Sequence, residues 1–453
     1  DHRDLHSFPT RRSSDLLPKV LISELDKRYQ RRKILSNISW LFVDRLLRMG
    51  LELVVGMLVA RYLGPSQFGL FNYAIAFVSI FGVIAALGLD NIVVRELVNH
   101  PEREKSILGT TLVLKAAGSI LAWLLTVSLS YAFVLPNSSQ VYWLVCIIAS
   151  TLFFKPTDAA NFWFQAQVKS KYTAFVRSTA FIFFSAFRLG LVAFKAPLTM
   201  FALAVVLEVF IRAIGLIVIS IYKGLPLKQL DFCFRTAQKL ILDSSPLILS
   251  AFFIMIYMRV DQIMLAEMVG VKEVGLYSSA VRLAEAFYVI SLIVVPSVFP
   301  NLLETKKTSE SAFLMKLQSL YNFMAISSYS VSFTVTFCSG WIVSLLFGAE
   351  YSNAAPMLSI LIWTTVFVNL GVARSSFLTA MNWTRLSVST VAIGCVVNVA
   401  LNIVLIPLYD GIGAAVSTLI AYGFATYVSC FMIRKLTGTA KMLTKALFFP
   451  VNT

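Results

Sequence analysis

The sequence predicts an all-α polytopic membrane protein, with about twelve transmembrane helices in two parallel six-helix bundles around a central cavity. Three observations carry this expectation. The 453 residues are 58% hydrophobic and 14% charged, whereas a soluble domain is usually about 25% charged. Many stretches reach the length of about 20 mostly apolar residues that a spanning helix needs. One short stretch also occurs twice without a gap, as ARYLGPSQFGLFNYA from Ala60 and AEMVGVKEVGLYSSA from Ala266. Gly64 and Gly69 of the first copy meet Gly270 and Gly275 of the second. Internal repeats of this kind mark duplicated transporter halves.

Residues 1–16 (DHRDLHSFPTRRSSDL) are polar, lack the apolar core of a signal peptide and read as sequence foreign to the protein. Residues 17–37 form a basic arm. Apolar spans follow at 38–62, 67–89, 108–134, 140–164, 172–194 and 198–222, making an N-lobe over 38–222. Residues 223–241 are too charged to span and read as an amphipathic linker on the membrane surface. Spans at 242–265, 274–299, 319–346, 354–380, 385–408 and 411–434 make a C-lobe over 242–434. Residues 435–453 read as a cytoplasmic tail.

The net charge of +16 follows from topology. Nearly all loop Lys and Arg fall on one set of helix ends, among them Arg31, Arg95, Lys105, Lys171, Lys228, Lys307 and Arg434. Only Arg61, Lys195 and Lys272 fall on the other. Positive charge marks the cytoplasmic side, so both termini are expected there and nucleic-acid binding is not needed to explain the charge. Both repeats then cap helix hairpins on the far side, joining spans 1–2 and 7–8. Six intervening spans give the lobes the same orientation. The glycines suit turns and close helix approach.

Ionisable groups inside spans are costly and usually face a bundle interior or a wet cavity. Asp44, Arg48 and Glu52 share one face of span 1, at helical spacing. Span 3 carries Lys115, span 5 Arg188, span 7 Arg259 and Asp261, span 8 Arg282 and Glu285, and span 10 Arg374. Lys155 with Asp158, and Glu208 with Arg212, are spaced to neutralise one another. Spans 2, 9 and 12 carry no charge and are expected at the periphery. Cations outnumber acids within the spans, and an arginine's planar donor fork suits phosphate. The pattern points to a cationic cavity for an anionic, lipid-attached substrate. Arg48, Arg259 and Arg282 are its first candidates, with Arg188, Arg374 and Lys115 behind them. Asp44, Glu52, Asp261 and Glu285 are candidates for a carboxylate that couples a proton or sodium ion to movement. Asn398 and Asn402, one helical turn apart, suit interhelical hydrogen bonds.

There is no P-loop, no HExxH and no Cys or His spacing suited to a metal. Neither an enzyme nor a resident cofactor is expected, and transport must draw on an ion gradient or on the substrate's own gradient.

The segments NISWLFVDRLLRMG, LVARYLGPSQFGLFNYAIAF, ALGLDNIVVRE, MRVDQIMLAEMVGVKEVGLYSSAVRLAE, LLFGAEYSNAAPMLSIL and GIGAAVSTLIAY resemble those of the Wzx/RfbX-like O-antigen (polysaccharide) flippases. These belong to the multidrug/oligosaccharidyl-lipid/polysaccharide exporter superfamily, and the resemblance runs from about residue 30 to 435. It implies a MATE-like pair of lobes opening alternately to each side. The implied cargo is an undecaprenyl-pyrophosphate-linked oligosaccharide moved across the bacterial inner membrane. The implied partners are membrane lipids, a polysaccharide polymerase and a chain-length regulator. Within the superfamily, a multidrug exporter would often carry a lipophilic cation, ill matched to a cationic cavity. A membrane glycosyltransferase would need a large outer loop, and all outer loops here are short.

Overall fold

The computed structural model describes residues 19–134, 138–225, 229–381 and 383–449, with side chains from residue 46 onward except those of Pro300 and Thr384. The segment read as foreign lies outside these residues, as does the side chain of Asp44. Among the described residues there are helices and no strands. The N-lobe comprises α1 (Lys19–Ala86), α2 (Asp90–Asn99), α3 (Glu104–Leu129), α4 (Ser139–Ala149), α5 (Asp158–Ala166), α6 (Lys171–Ala193) and α7 (Leu198–Tyr222). The C-lobe comprises α8 (Phe234–Met268), α9 (Val271–Ala286), α10 (Val289–Thr308), α11 (Glu310–Phe347), α12 (Ala354–Leu361), α13 (Thr364–Ala380), α14 (Thr384–Gly423), α15 (Ser429–Met432) and α16 (Thr437–Phe448).

Ten helical stretches among the described residues are long and apolar enough to cross a membrane, so the chain is a multi-pass membrane protein. Two of the ten are far longer than one crossing: Leu46–Asn99, with 54 residues, and Arg385–Met432, with 48. Each is interrupted by a non-helical residue. Gly64 breaks α1 at φ 70°, and Asp410 breaks α14 at φ 49°. Gly64 and its repeat partner Gly270, at φ 132°, both occupy the left-handed half of φ space, where a side chain is strained.

The repeated stretches explain how the lobes join. A Cβ on Gly69 would collide with the carbonyl of Val271 and the backbone nitrogen of Gly275. A Cβ on Gly275 would collide with the carbonyl of Pro65. Pro65 and Val271 are themselves equivalent in the two copies, so each hairpin touches the other through the same residues, as at a two-fold axis. Phe68, Phe71, Ala74, Val274, Tyr277 and Tyr351 fill one core across this joint. Tyr351 donates to the carbonyl of Ala60 at 2.8 Å, and Tyr73 donates to Glu267 at 2.9 Å. This is the hairpin end of the molecule.

At the opposite, basic end the expected surface linker is shorter than its sequence suggested. From Phe234 it is continuous with the seventh span as α8, which runs on through Pro246. This extension lies against the N-lobe. Arg95 meets Asp243 at 2.7 Å and Lys239 meets Glu96 at 2.6 Å. Thr110 accepts from the Cys233 backbone at 3.1 Å. Because Arg95 and Asp243 are both substantially exposed, their pair is worth only about 0–1 kcal/mol. Reversing Arg95 to Glu should loosen this seam measurably, and adding Asp243→Arg should restore it. A thermal-melt double-mutant cycle checks this.

The stretch read as a cytoplasmic tail carries a docked helix. Its α16 buries Ala440, Leu443 and Ala446 against Leu317, Tyr321 and Met324 of α11. Gln318 and Tyr329 donate to the carbonyls of Met442 and Leu447. A stripe of small and apolar residues every three to four positions suffices for docking, though the helix is too short to register as a span.

Candidate functional site: a charged cavity between the lobes

A cavity of about 510 Å³ lies between the lobes. Glu52 and Leu53 of α1 line one wall, Arg259 and Gln262 of α8 another, and Ser278, Arg282 and Glu285 of α9 a third. Asn72 and Ile75, beyond the Gly64 break, complete it. Span 2 is therefore not peripheral, as its lack of charge suggested. It contributes a neutral amide, and Asn72 is itself fixed by donating to the Phe68 carbonyl at 2.7 Å.

The cavity is not simply cationic. Arg259 pairs with Glu285 at 3.8 Å. Arg282 interacts electrostatically with Glu52 and Glu285, and with the cations Arg259 and Arg188. Two arginines thus face two glutamates among the lining residues. Arg282 also packs over the Phe68 ring at 5.5 Å and against Gly56, where any Cβ would overlap the guanidinium. Position 56 is small so that this arginine can lie flat on α1. In the aligned repeat, Leu53, Ala76 and Ser79 stand where the C-lobe has Arg259, Arg282 and Glu285. The scaffold is symmetric and most of its charge is not.

The other candidates lie elsewhere. Arg48 is half-buried on the same stretch of α1, where it has partners of its own. Arg188 is paired with Glu208 at 2.5 Å, so Glu208 reaches across to α6 instead of pairing along its helix with Arg212. Lys115 is fully buried in the N-lobe, 3.2 Å from Asp158 and 3.6 Å from Asp90, with Phe162 beneath it. It takes the acid expected for Lys155, and it does not line the cavity. Arg374 is buried in the C-lobe and donates to the carbonyls of Ala425 and Thr426 and to the Thr390 hydroxyl. Those carbonyls belong to a π-helical turn, Phe424–Val428, where the regular ladder is broken and extra donors are needed. Arg188, Lys115 and Arg374 are thus used inside the lobes, each with its own partners.

Asp261 is buried outside the cavity. It accepts from Asn402 at 2.5 Å, from Tyr277 at 2.8 Å and from Thr418 at 2.6 Å. Among the described residues it makes no ion pair. Asn398 bonds to Asn402, so the two asparagines form the interhelical network their spacing suggested. Thr418 brings the uncharged twelfth span into the centre of the C-lobe, the second neutral span whose place the charge count missed.

Among the described residues no group of His, Cys, Asp or Glu could hold a metal ion. The chamber lies between two half-molecules that meet at a glycine joint, with charged walls and a sealed hairpin end. These features define the class: a multi-pass membrane transporter of the two-lobed kind. Residues 34–306 match the family of polysaccharide biosynthesis proteins, and the chain belongs to that family. A putative O-antigen transporter of Shigella flexneri is 24% identical over 79% of this chain and 88% of its own length. Among solved structures, the lipid II flippase MurJ in an inward closed conformation superposes with a TM-score of 0.70 at 18% identity, covering 90% of this chain and 91% of that one. An inward-facing multidrug resistance MATE family transporter of the MOP superfamily superposes at 0.68 with 13% identity, covering 86% and 96%. At these identities the structural matches establish the fold.

Proposed function

We propose that this protein is a flippase that carries a polyprenyl-pyrophosphate-linked oligosaccharide across the bacterial inner membrane by alternating access, for O-antigen or other surface polysaccharide. The family, the likeness to the Shigella O-antigen transporter and the likeness in fold to a lipid II flippase support it. One observation carries the reading: Arg259 and Arg282 meet in an interlobe cavity whose volume suits a headgroup. A chamber of about 510 Å³ holds a pyrophosphate and its first sugars but not a long polyprenyl tail, which stays in lipid. The pyrophosphate displaces Glu285 and Glu52 from the arginines, exchanging one set of ion pairs for another in a low-dielectric site. The hairpin end faces the periplasm and the basic end the cytoplasm. Cargo enters at the basic end, and rocking about the glycine joint opens the hairpin end. Asp261 is the coupling carboxylate and exchanges a proton during the cycle. A polymerase and a chain-length regulator would receive the product outside.

Complementation of a strain lacking its flippase tests this reading. Replacing Arg259 or Arg282 with Ala should reduce surface polysaccharide about tenfold or more, since each loses a charge-assisted contact. Lys should rescue only partly, because it lacks the planar fork. Arg48→Ala should have the smaller effect. Normal polysaccharide in all three Ala variants at equal protein level would refute the pyrophosphate site.

A further inference from the structure

Glu285 has two faces. One lines the cargo cavity beside Arg259 and Arg282. The other lines a second, smaller void of about 20 Å³, shared with Tyr257, Tyr277, Tyr288, Tyr422 and Asp261. A void of that size holds about one water molecule. Four phenol groups surround it. Tyr277 donates to Asp261 at 2.8 Å. Tyr288 and Thr364 share a hydrogen bond of 2.9 Å, and the Tyr288 and Tyr422 side chains line the void together. Tyr257 and Tyr422 stack with centroids 4.3 Å apart. Hydroxyls and a trapped water are the groups that pass protons through a dry interior, because each can donate and accept. Met258, Val281, Ala284 and Leu361 complete the lining.

The groups facing Glu285 are Arg259 from α8, Arg282 from its own helix, and Tyr288 and Tyr422. Those facing Asp261 are Tyr277, Tyr257 and Tyr422, together with Cys395, Asn398, Asn402 and Thr418. The helical run breaks directly after Glu285, at Phe287 and Tyr288 between α9 and α10, so this side chain sits at a joint.

We propose that Glu285 and the tyrosine-lined void form a proton route from the cargo cavity to Asp261, opened when an anion takes Arg259 and Arg282 away from Glu285. This rests on the reading of those arginines as the pyrophosphate site. In the empty cavity Arg259 holds Glu285. An incoming pyrophosphate claims the guanidinium groups, and the released carboxylate turns to the void. A proton taken up from the surrounding solution through the cavity then passes Glu285 and is relayed by the Tyr288 and Tyr422 hydroxyls and one water to Asp261. Only O–H bonds break and form, and the proton ends on the Asp261 carboxyl. Neutral Asp261 holds Tyr277, Asn402 and Thr418 less tightly, which frees α8, α9 and α14 to shift against one another.

The test uses the detergent-purified full chain, with inorganic pyrophosphate as probe. Calorimetric titration in two buffers of different ionisation heat counts the protons bound, and stopped-flow mixing with a pH-indicator dye times them. The expected result is uptake of about one proton per pyrophosphate bound. Glu285→Gln should bind pyrophosphate more tightly without proton uptake, and Asp261→Asn should bind it without uptake. The double variant Tyr288→Phe/Tyr422→Phe keeps both rings and lies outside the cargo cavity. It should bind as the parent does but take up its proton more slowly, on the order of tenfold. Pyrophosphate binding with no proton uptake by the parent would overturn the inference and leave the arginine site standing. Uptake by the double variant at the parent's rate would overturn the route. A parent that binds no pyrophosphate would overturn the arginine site and the inference together.

Discussion

Gly275→Ala should leave a folded protein that closes its hairpin end far less often and transports correspondingly less. The new Cβ would sit inside the Pro65 carbonyl, with Gly69 beside it. These are backbone atoms and cannot rotate away. Overpacking of this kind costs about 1–3 kcal/mol, which is roughly a 5- to 150-fold shift away from the closed arrangement. The cost falls only on the state in which the hairpins touch, so the variant should remain stable while its conformational balance changes. A membrane-impermeant thiol reagent reads this out. Cysteine at Ser66 or Lys272 should label faster in Gly275→Ala than in the parent, and cysteine at Lys307 should stay unlabelled from outside. Gly69→Ala should behave the same way, because the joint is symmetric. Equal labelling with normal transport would show that the hairpin contact is not the gate.

The second large effect is expected at Arg374, and it is of a different kind. Arg374→Met removes the donors that serve Ala425, Thr426 and Thr390. Removing a charged donor from buried acceptors costs about 1–3 kcal/mol, and the two carbonyls of the π-helical turn keep only the Ser429 hydroxyl and the Cys430 thiol as side-chain donors. The melting temperature in detergent and the amount of protein in the membrane should both fall clearly. Arg374→Lys should lie between, since one ammonium cannot reach both carbonyls and Thr390 as the fork does. Pyrophosphate affinity of the protein that survives should be unchanged. Unaltered stability with lost binding would return Arg374 to the cargo site.

These two residues show what the sequence could and could not disclose. The glycine joint was legible because duplication preserved its spacing in both copies, and a repeat is visible without coordinates. The two-lobed fold followed from span length and from the sidedness of charge. Arg259, Arg282, Glu52 and Glu285 stood among the ten charged candidates because charge inside a span is rare, but which of the ten line one cavity was not legible. Nor was their pairing, since Arg188 finds Glu208 and Lys115 finds Asp158 only after separate helices pack. Nothing in the spacing of Arg374 announced the broken turn it caps, which forms over fifty residues downstream. Asn72 and Thr418 were missed for the opposite reason. They are neutral, and a search for charge passes over the spans that hold them.

The balance of two arginines against two glutamates in the cavity bears on the half of the cycle that carries nothing. A carrier whose arginines were left bare after unloading would have to drag uncompensated charge through a closed, dry intermediate, a step that desolvation makes prohibitive. On the proposed reading, Glu285 and Glu52 would replace the departing headgroup beside Arg259 and Arg282, leaving the vacant cavity electrically balanced. A return stroke would then need no counter-substrate.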